Sequence, residues 1–165
     1  MKNFIPEVVF KIRVRDEKTK GENPYKWKDK TTDDYFKNIS VILFALPGAF
    51  TPTCSTYQLP NFEKLSKEFK SLGVDKIYCL SVNDKYVMKS WLISYSEEHK
   101  IHGVADGNAE ITNYFNLLSD KTKNHMGYRS SRFAMIIGNN QVQKIKVENP
   151  AELKVSSAEY ILQIL

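Results

Sequence analysis

Residues 41–55 read Val-Ile-Leu-Phe-Ala-Leu-Pro-Gly-Ala-Phe-Thr-Pro-Thr-Cys-Ser. The apolar run from Val41 to Leu46 stops at Pro47-Gly48. A short apolar run bounded by turn residues predicts a buried strand. Beyond the turn, Thr51 suits a helix N-cap, and Pro52 suits the first helical position, where its missing N–H costs nothing. Cys54 then falls in the first helical turn. Unpaired backbone N–H groups and the positive end of the helix dipole favour a thiolate there. A cysteine so placed is a candidate nucleophile. The plainer reading is a free cysteine packed as a small apolar residue.

Downstream, Leu59, Phe62, Leu65, Phe69 and Leu72 recur at helical spacing, so the helix is expected to run to Leu72 and end at Gly73. Pro60 predicts a kink near residues 56–59. Residues 75–82 (DKIYCLSV) read as a second buried strand carrying Cys79. Asn83-Asp84 leads into a helix through Val87, Met88, Trp91, Leu92 and Tyr95. A strand is expected over 101–105, a turn at 106–108, a helix over 109–118 and a polar loop over 119–129. Residues 132–138 read as a strand, Asn139-Asn140 as a hairpin turn into 142–147, and Ser156 with Glu159 as the capping box of a last helix. Upstream, Val8 to Val14 predicts a strand, and Tyr25 with Trp27 a short partner forming a hairpin. Residues 31–36 look like a capped helical turn. Alternating strands and helices imply an α/β fold with a mixed central β-sheet flanked by helices and an N-terminal β-hairpin.

The chain has 165 residues, enough for one domain, 1–165, with a real core. Apolar residues make up 42% and charged residues 26%, which fits an ordinary globular protein. No run approaches the roughly 20 apolar residues of a membrane span, and no secretory signal is read at the N-terminus. With only two cysteines, no disulfide scaffold is expected, and the expected compartment is the reducing cytoplasm. The net charge of +5 is spread along the chain. A basic stripe with interleaved aromatics is missing from the sequence, so nucleic-acid binding is not expected. His102 and His125 stand alone in turn regions and His99 at a charged helix end, so no metal site is read.

Pro47 to Ser55 (PGAFTPTCS) resembles the active-site motif of peroxiredoxins of the atypical type II (type 5) group. Residues 79–84 (CLSVND), 105–107 (ADG), 127–134 (GYRSSRFA) and 155–159 (VSSAE) are similar to later blocks of that group, in the same order. The resemblance covers nearly the whole chain. It implies a thioredoxin-like fold, thiol peroxidase activity without cofactor or metal, and a homodimer, for which an apolar edge near the Cys54 helix or the Phe50 loop is a candidate surface. By position, Cys54 looks like the peroxidatic cysteine, Thr51 the hydroxyl that binds peroxide, and Pro47 the proline shielding the thiolate. Arg132 looks like the arginine that serves the sulfur, with Arg129 as an alternative.

Peroxide reduction needs these residue types. An ionised sulfur attacks one oxygen of hydrogen peroxide or an alkyl hydroperoxide, and the other oxygen leaves as it gains charge. Donors from Thr51, the turn N–H groups and Arg132 suit that charge. The sulfenic acid formed at Cys54 must then be reduced. Thioredoxin, glutaredoxin and glutathione are the reductants implied. Glutathione or glutaredoxin attacking Cys54 directly is the preferred route, with Cys79 as a possible resolving residue or a buried core thiol. A disulfide reductase would want a cysteine where Tyr57 stands. The alternative function is a non-enzymatic peroxide sensor or redox relay on the same fold.

Overall fold

The computed structural model describes residues 2–96 and 98–165. The chain starts with the expected hairpin. β1 (Val9–Arg15) and β2 (Tyr25–Thr31) pair antiparallel, from Val9 opposite Thr31 to Arg15 opposite Tyr25. α1 (Thr32–Phe36) follows at once. Thr31 caps it by accepting from Asp34 N–H, while the Asp34 carboxylate accepts from Thr31 N–H, satisfying two otherwise unpaired donors.

The apolar run becomes β3 (Ser40–Ala45), buried from Val41 to Ala45. After the Pro47-Gly48 turn a helical path begins at Pro52. It does not run as plain α-helix. Cys54–Gln58 is a π-helical turn, in which Leu59 N–H reaches Cys54 C=O, five residues back. α2 (Leu59–Lys64) carries Pro60 at its start. Proline has no N–H to give, and the wider turn before it absorbs the mismatch, so the expected kink takes the form of a π turn. α3 (Ser66–Ser71) completes the run. Gly73 then stops it at φ +90°, a conformation that favours glycine.

β4 (Lys76–Ser81), α4 (Lys85–Tyr95) and β5 (Ile101–Ala105) lie where the sequence puts them, so His102 stands in a strand rather than a turn. Asp84 caps α4 through Tyr86 and Val87 N–H. The helix expected over 109–118 is shorter. α5 (Glu110–Tyr114) ends because Asn116 takes a left-handed φ of 57° and Leu117 N–H turns back to Thr112 C=O. The stretch read as a polar loop is a small hairpin. β6 (Leu118–Asp120) and β7 (Tyr128–Ser130) pair antiparallel around a 3₁₀ turn, Thr122–Asn124. Its residues are mostly solvated, so no apolar alternation announces it.

β8 (Phe133–Gly138) and β9 (Gln141–Val147) are joined by Asn139-Asn140, both at positive φ, as the two-residue turn requires. α6 (Ala158–Gln163) ends the chain's regular structure, but its cap is Ser157, one residue later than expected. Ser156 is buried instead and donates to the Glu148 carboxylate.

The sheet order is β5-β4-β3-β8-β9, with β3, β4 and β5 parallel and β8 antiparallel to both neighbours. Alternate residues of β3 feed two apolar layers. Ile42 and Phe44 pack with Leu59, Phe62, Phe69 and Trp91 of the helices. Phe44 and Phe62 stack with ring centroids 4.1 Å apart. Val41, Leu43 and Ala45 pack on the opposite face with Phe10, Tyr35, Phe36 and Ile111. Each such buried side chain contributes roughly 1.5–3 kcal/mol, and together they fix the helix that carries Cys54 against the sheet.

Candidate active site

Cys54 is fully buried in the apolar layer on the helical face of the sheet. It sits at the first residue of the π turn, so a helical start lies directly behind its sulfur. Arg132 precedes β8, the antiparallel neighbour of β3, and its Nη1 lies 3.5 Å from Cys54 Sγ. The same Nη1 donates to Gln58 Oε1. Gln58 is itself buried, and its Nε2 donates to Ala45 C=O at 3.4 Å. Sheet, π turn and guanidinium are thus tied through one amide. The sequence pattern did not single out Gln58. Its signal was a polar residue on the buried face of a helix otherwise marked by Leu59 and Phe62.

Thr51 is half-buried, and its hydroxyl donates to Gly48 C=O at 2.7 Å. The expected side-chain cap on the helix is therefore not made. The Pro47-Gly48 turn offers a carbonyl first, and only the Thr51 backbone carbonyl serves the helix, accepting from Ser55 N–H at 3.0 Å. With its proton committed, the hydroxyl keeps its lone pairs for an incoming O–H.

The loop between β3 and the helix is pinned from behind. Asn83 Oδ1 accepts from Ala49 N–H at 3.0 Å and from Ser81 Oγ at 2.6 Å. A Cβ on Gly48 would lie 3.4 Å from both Arg129 Nη1 and Thr51 Cγ2, so this close approach suits glycine. Arg129 spends its donors on Met126 C=O and Val82 C=O, which holds β7 to the end of β4 and leaves Arg132 at the sulfur. Phe50 takes a φ of 62°, a costly region for an aromatic residue, and stands about half exposed, edge-on to Tyr95.

A cleft of about 470 Å³ opens beside the site. Pro47, Thr51 and Arg132 line it, together with Lys121, Met126 and Pro150. The hairpin of β6 and β7 and the turn after β9 thereby belong to the site.

Cys79 is fully buried in β4, opposite Phe44 in register, and shares the apolar layer with Cys54. Both thiols are free. Burial pushes the Cys79 thiol well above the ordinary range, and Cys54 adds to that, against a smaller opposing pull from Arg132. Cys79 is therefore held as a neutral thiol. Among the described residues no group of three or more His, Cys, Asp or Glu is placed to hold a metal ion, and no helix is long and apolar enough to cross a membrane.

This arrangement suits a sulfur nucleophile beside a cation, with donors and acceptors for a small oxygen-bearing substrate. The redoxin family profile matches residues 18–162. The chain is 51% identical over 143 residues to a peroxiredoxin of Rhizobium etli, covering 87% of this chain and 79% of that one. A reduced peroxiredoxin of Vibrio vulnificus in complex with hydrogen peroxide superposes with a TM-score of 0.85 at 35% identity, over 99% of this chain and 95% of that one. The 1-Cys peroxiredoxin of Plasmodium falciparum gives a TM-score of 0.86 at 35% identity, over 98% and 97%. The match of sequence and fold across nearly the whole chain places it in the peroxiredoxin family, with a thioredoxin-like fold and the activity of a peroxidase that draws on thiols.

Proposed function

We propose that residues 1–165 act as one catalytic domain in which Cys54 is the peroxidatic nucleophile. The observation that carries this reading is the Arg132 guanidinium, 3.5 Å from a buried sulfur at a helical start. The Cys54 thiolate attacks the terminal oxygen of hydrogen peroxide or an alkyl hydroperoxide. A sulfur–oxygen bond forms as the oxygen–oxygen bond breaks. The leaving oxygen takes up a proton and departs as water or alcohol, and Cys54 is left as a sulfenic acid. Arg132 stabilises the thiolate and then the charge building on the peroxide oxygens. Thr51 orients the substrate by accepting its O–H, and Pro47 keeps water from that side of the sulfur.

Reduction of the sulfenic acid is assigned to glutathione or glutaredoxin, with thioredoxin as the other thiol donor. The attacking thiol forms a mixed disulfide with Cys54, and water leaves. Three features support a one-cysteine cycle. Cys79 is neutral and buried, and it sits mid-strand. Cys79 is held in the β3–β4 ladder opposite Phe44 and Cys54 C=O by Leu59 N–H, so both backbones are tied while a disulfide demands a specific geometry. The similarity to a 1-Cys peroxiredoxin points the same way. A homodimer through the exposed Phe50 and Tyr95 edge and a cytoplasmic location complete the reading.

The test is intact-mass spectrometry of the reduced protein after one equivalent of hydrogen peroxide, with and without glutathione. The expected products are Cys54 sulfenic acid without glutathione and glutathionylated Cys54 with it. Cys79→Ser should give the same pair and retain turnover, while Cys54→Ser should consume no peroxide. A Cys54–Cys79 disulfide as the dominant product would overturn the one-cysteine cycle. Peroxide consumption by Cys54→Ser would overturn the assignment itself.

A further inference from the structure

The N-terminal hairpin leans over the open edge of the sheet, strand β5, and a cleft of about 980 Å³ lies between them. Seven basic side chains line it, and three of them, two lysines and an imidazole, come from β2, β4 and β5. Lys30 comes from β2, Lys76 opens β4, and His102 lies in β5. Tyr78 is opposite His102 in register and two residues from Lys76, so all three share the hairpin face of the sheet. The Tyr78 and His102 rings lie 5.8 Å apart. Lys30 Nζ sits 3.7 Å over the Tyr35 ring, and Tyr35 packs edge-on against Tyr78 at 5.3 Å. The two rings, set edge to face, thus link Lys30 to His102 along the wall of the cleft.

The two lysines press on each other and on the His102 imidazole. Burial, then Lys76 and Lys30, hold His102 below the ordinary histidine range. Burial chiefly lowers Lys30, and Lys76 and Lys28 add to it against Asp34. Of the acidic groups nearby, Asp34 offsets part of the repulsion at Lys30. Asp34 accepts from Thr31 at the start of α1. Asp84 caps α4, and Asp106 accepts from Ile111 and Thr112. Glu110 is the other carboxylate of the lining, beyond the far end of β5. At that same end Lys85 Nζ lies 3.1 Å over the Trp27 ring and makes no hydrogen bond. Like charges drawn together from distant segments lower their mutual energy when a multivalent anion joins them, and lysine serves phosphate well as a point charge.

We propose that this cleft binds a multiply charged phosphate anion, a polyphosphate chain or the triphosphate of a nucleotide, through Lys30, Lys76 and His102. The site lies on the hairpin face of the sheet, whereas Cys54 lies in the helical layer, so the ligand is no peroxide substrate.

Isothermal titration of the full chain with inorganic tripolyphosphate at low salt tests this. Wild type should bind at one site. Lys30→Gln with Lys76→Gln should weaken binding by about tenfold or more, from the loss of charge-assisted hydrogen bonds. Lys70→Gln, on α3 across the sheet, should leave binding unchanged. Circular dichroism and peroxide consumption should stay at wild-type levels in all variants. Adenosine triphosphate separates the sources. Equal affinity assigns recognition to the phosphate chain alone, and tighter binding adds a contact of the base with an aromatic ring of the cleft. The proposal is overturned if wild type binds neither probe, or if Lys70→Gln weakens binding as much as the double variant, which would mean a diffuse surface charge.

Discussion

Replacing Gln58 with leucine isolates the contribution of a residue that touches the chemistry only through another side chain. Gln58 Oε1 holds Arg132 Nη1, the atom 3.5 Å from Cys54 Sγ, and Gln58 Nε2 holds Ala45 C=O. Leucine fills a similar volume and removes both bonds. A hydrogen bond to a charged group contributes about 1.5–3 kcal/mol. At about 1.4 kcal/mol per factor of ten, complete transmission to the transition state would slow oxidation by roughly ten- to a hundredfold. The guanidinium charge stays near the sulfur in the variant, so the lower part of that range, about tenfold, is the expected loss. Arg132→Gln removes the charge itself and should cost about a hundredfold or more, as loss of a preorganised charge stabiliser does. Stopped-flow tryptophan fluorescence in a single turnover reads the step directly, since Trp91 Nε1 donates to Ser55, the residue after Cys54, at 2.9 Å. Oxidation of Gln58→Leu at the wild-type rate, with Arg132→Gln slow, would refute a positioning role for Gln58.

Three further outcomes follow from the geometry. Arg132→Lys keeps the charge but gives up the planar guanidinium whose Nη1 reaches Sγ and Oε1 together, so peroxide reactivity should fall by about tenfold or more in the same assay. Asn83→Ala leaves Ala49 N–H and Ser81 Oγ without their shared acceptor; calorimetry should show a loss of about 1–2 kcal/mol, seen as a Tm lower by roughly 2–8 °C. His102 has a folded pKa lowered by burial, Lys76 and Lys30, so the unfolded chain takes up its proton first. Its contribution to stability is full above the unfolded value near 6.5 and is lost as pH falls towards the lower folded value. Urea titrations at pH 7 and pH 5 should therefore show a smaller acid-induced loss in His102→Gln, and an equal or larger loss would count against the assignment.

What the sequence disclosed tracks how strongly local chemistry is expressed. The run from Val41 to Leu46 and the turn Asn139-Asn140 each carry a pattern that one structure satisfies, and both stand where they were expected. The short hairpin of β6 and β7 was missed because its residues are solvated and only pairing defines it. Thr51 was placed at the right helix end, but its hydroxyl answers to a carbonyl supplied by the loop before it. The approach of Arg132 to Cys54 is a product of sheet order, since β8 lies beside β3. Motif resemblance pointed to that pair, whereas spacing alone carries no such information. Gln58 was invisible for a related reason. A buried amide is recognised only when its two partners, one on a strand and one on a distant arginine, are known. The clustering of Lys30, Lys76 and His102 is likewise absent from a linear reading in which lysines look evenly scattered.

The π turn at Cys54–Gln58 also has a meaning for chain length. It amounts to one residue more than an α-helical path of the same rise would hold. Removing a single residue between Ser55 and Tyr57 would return the stretch to ordinary α-helical winding. The Leu59 N–H to Cys54 C=O bond would become an ordinary α-helical bond between the same two groups. The wide turn absorbs its extra residue locally, so the flanking helix would keep its phase. With α2 locked to the sheet by the Phe44–Phe62 stack, Cys54 would stay at the guanidinium. An alignment that places a one-residue gap there would still pair sulfurs that face the same cation.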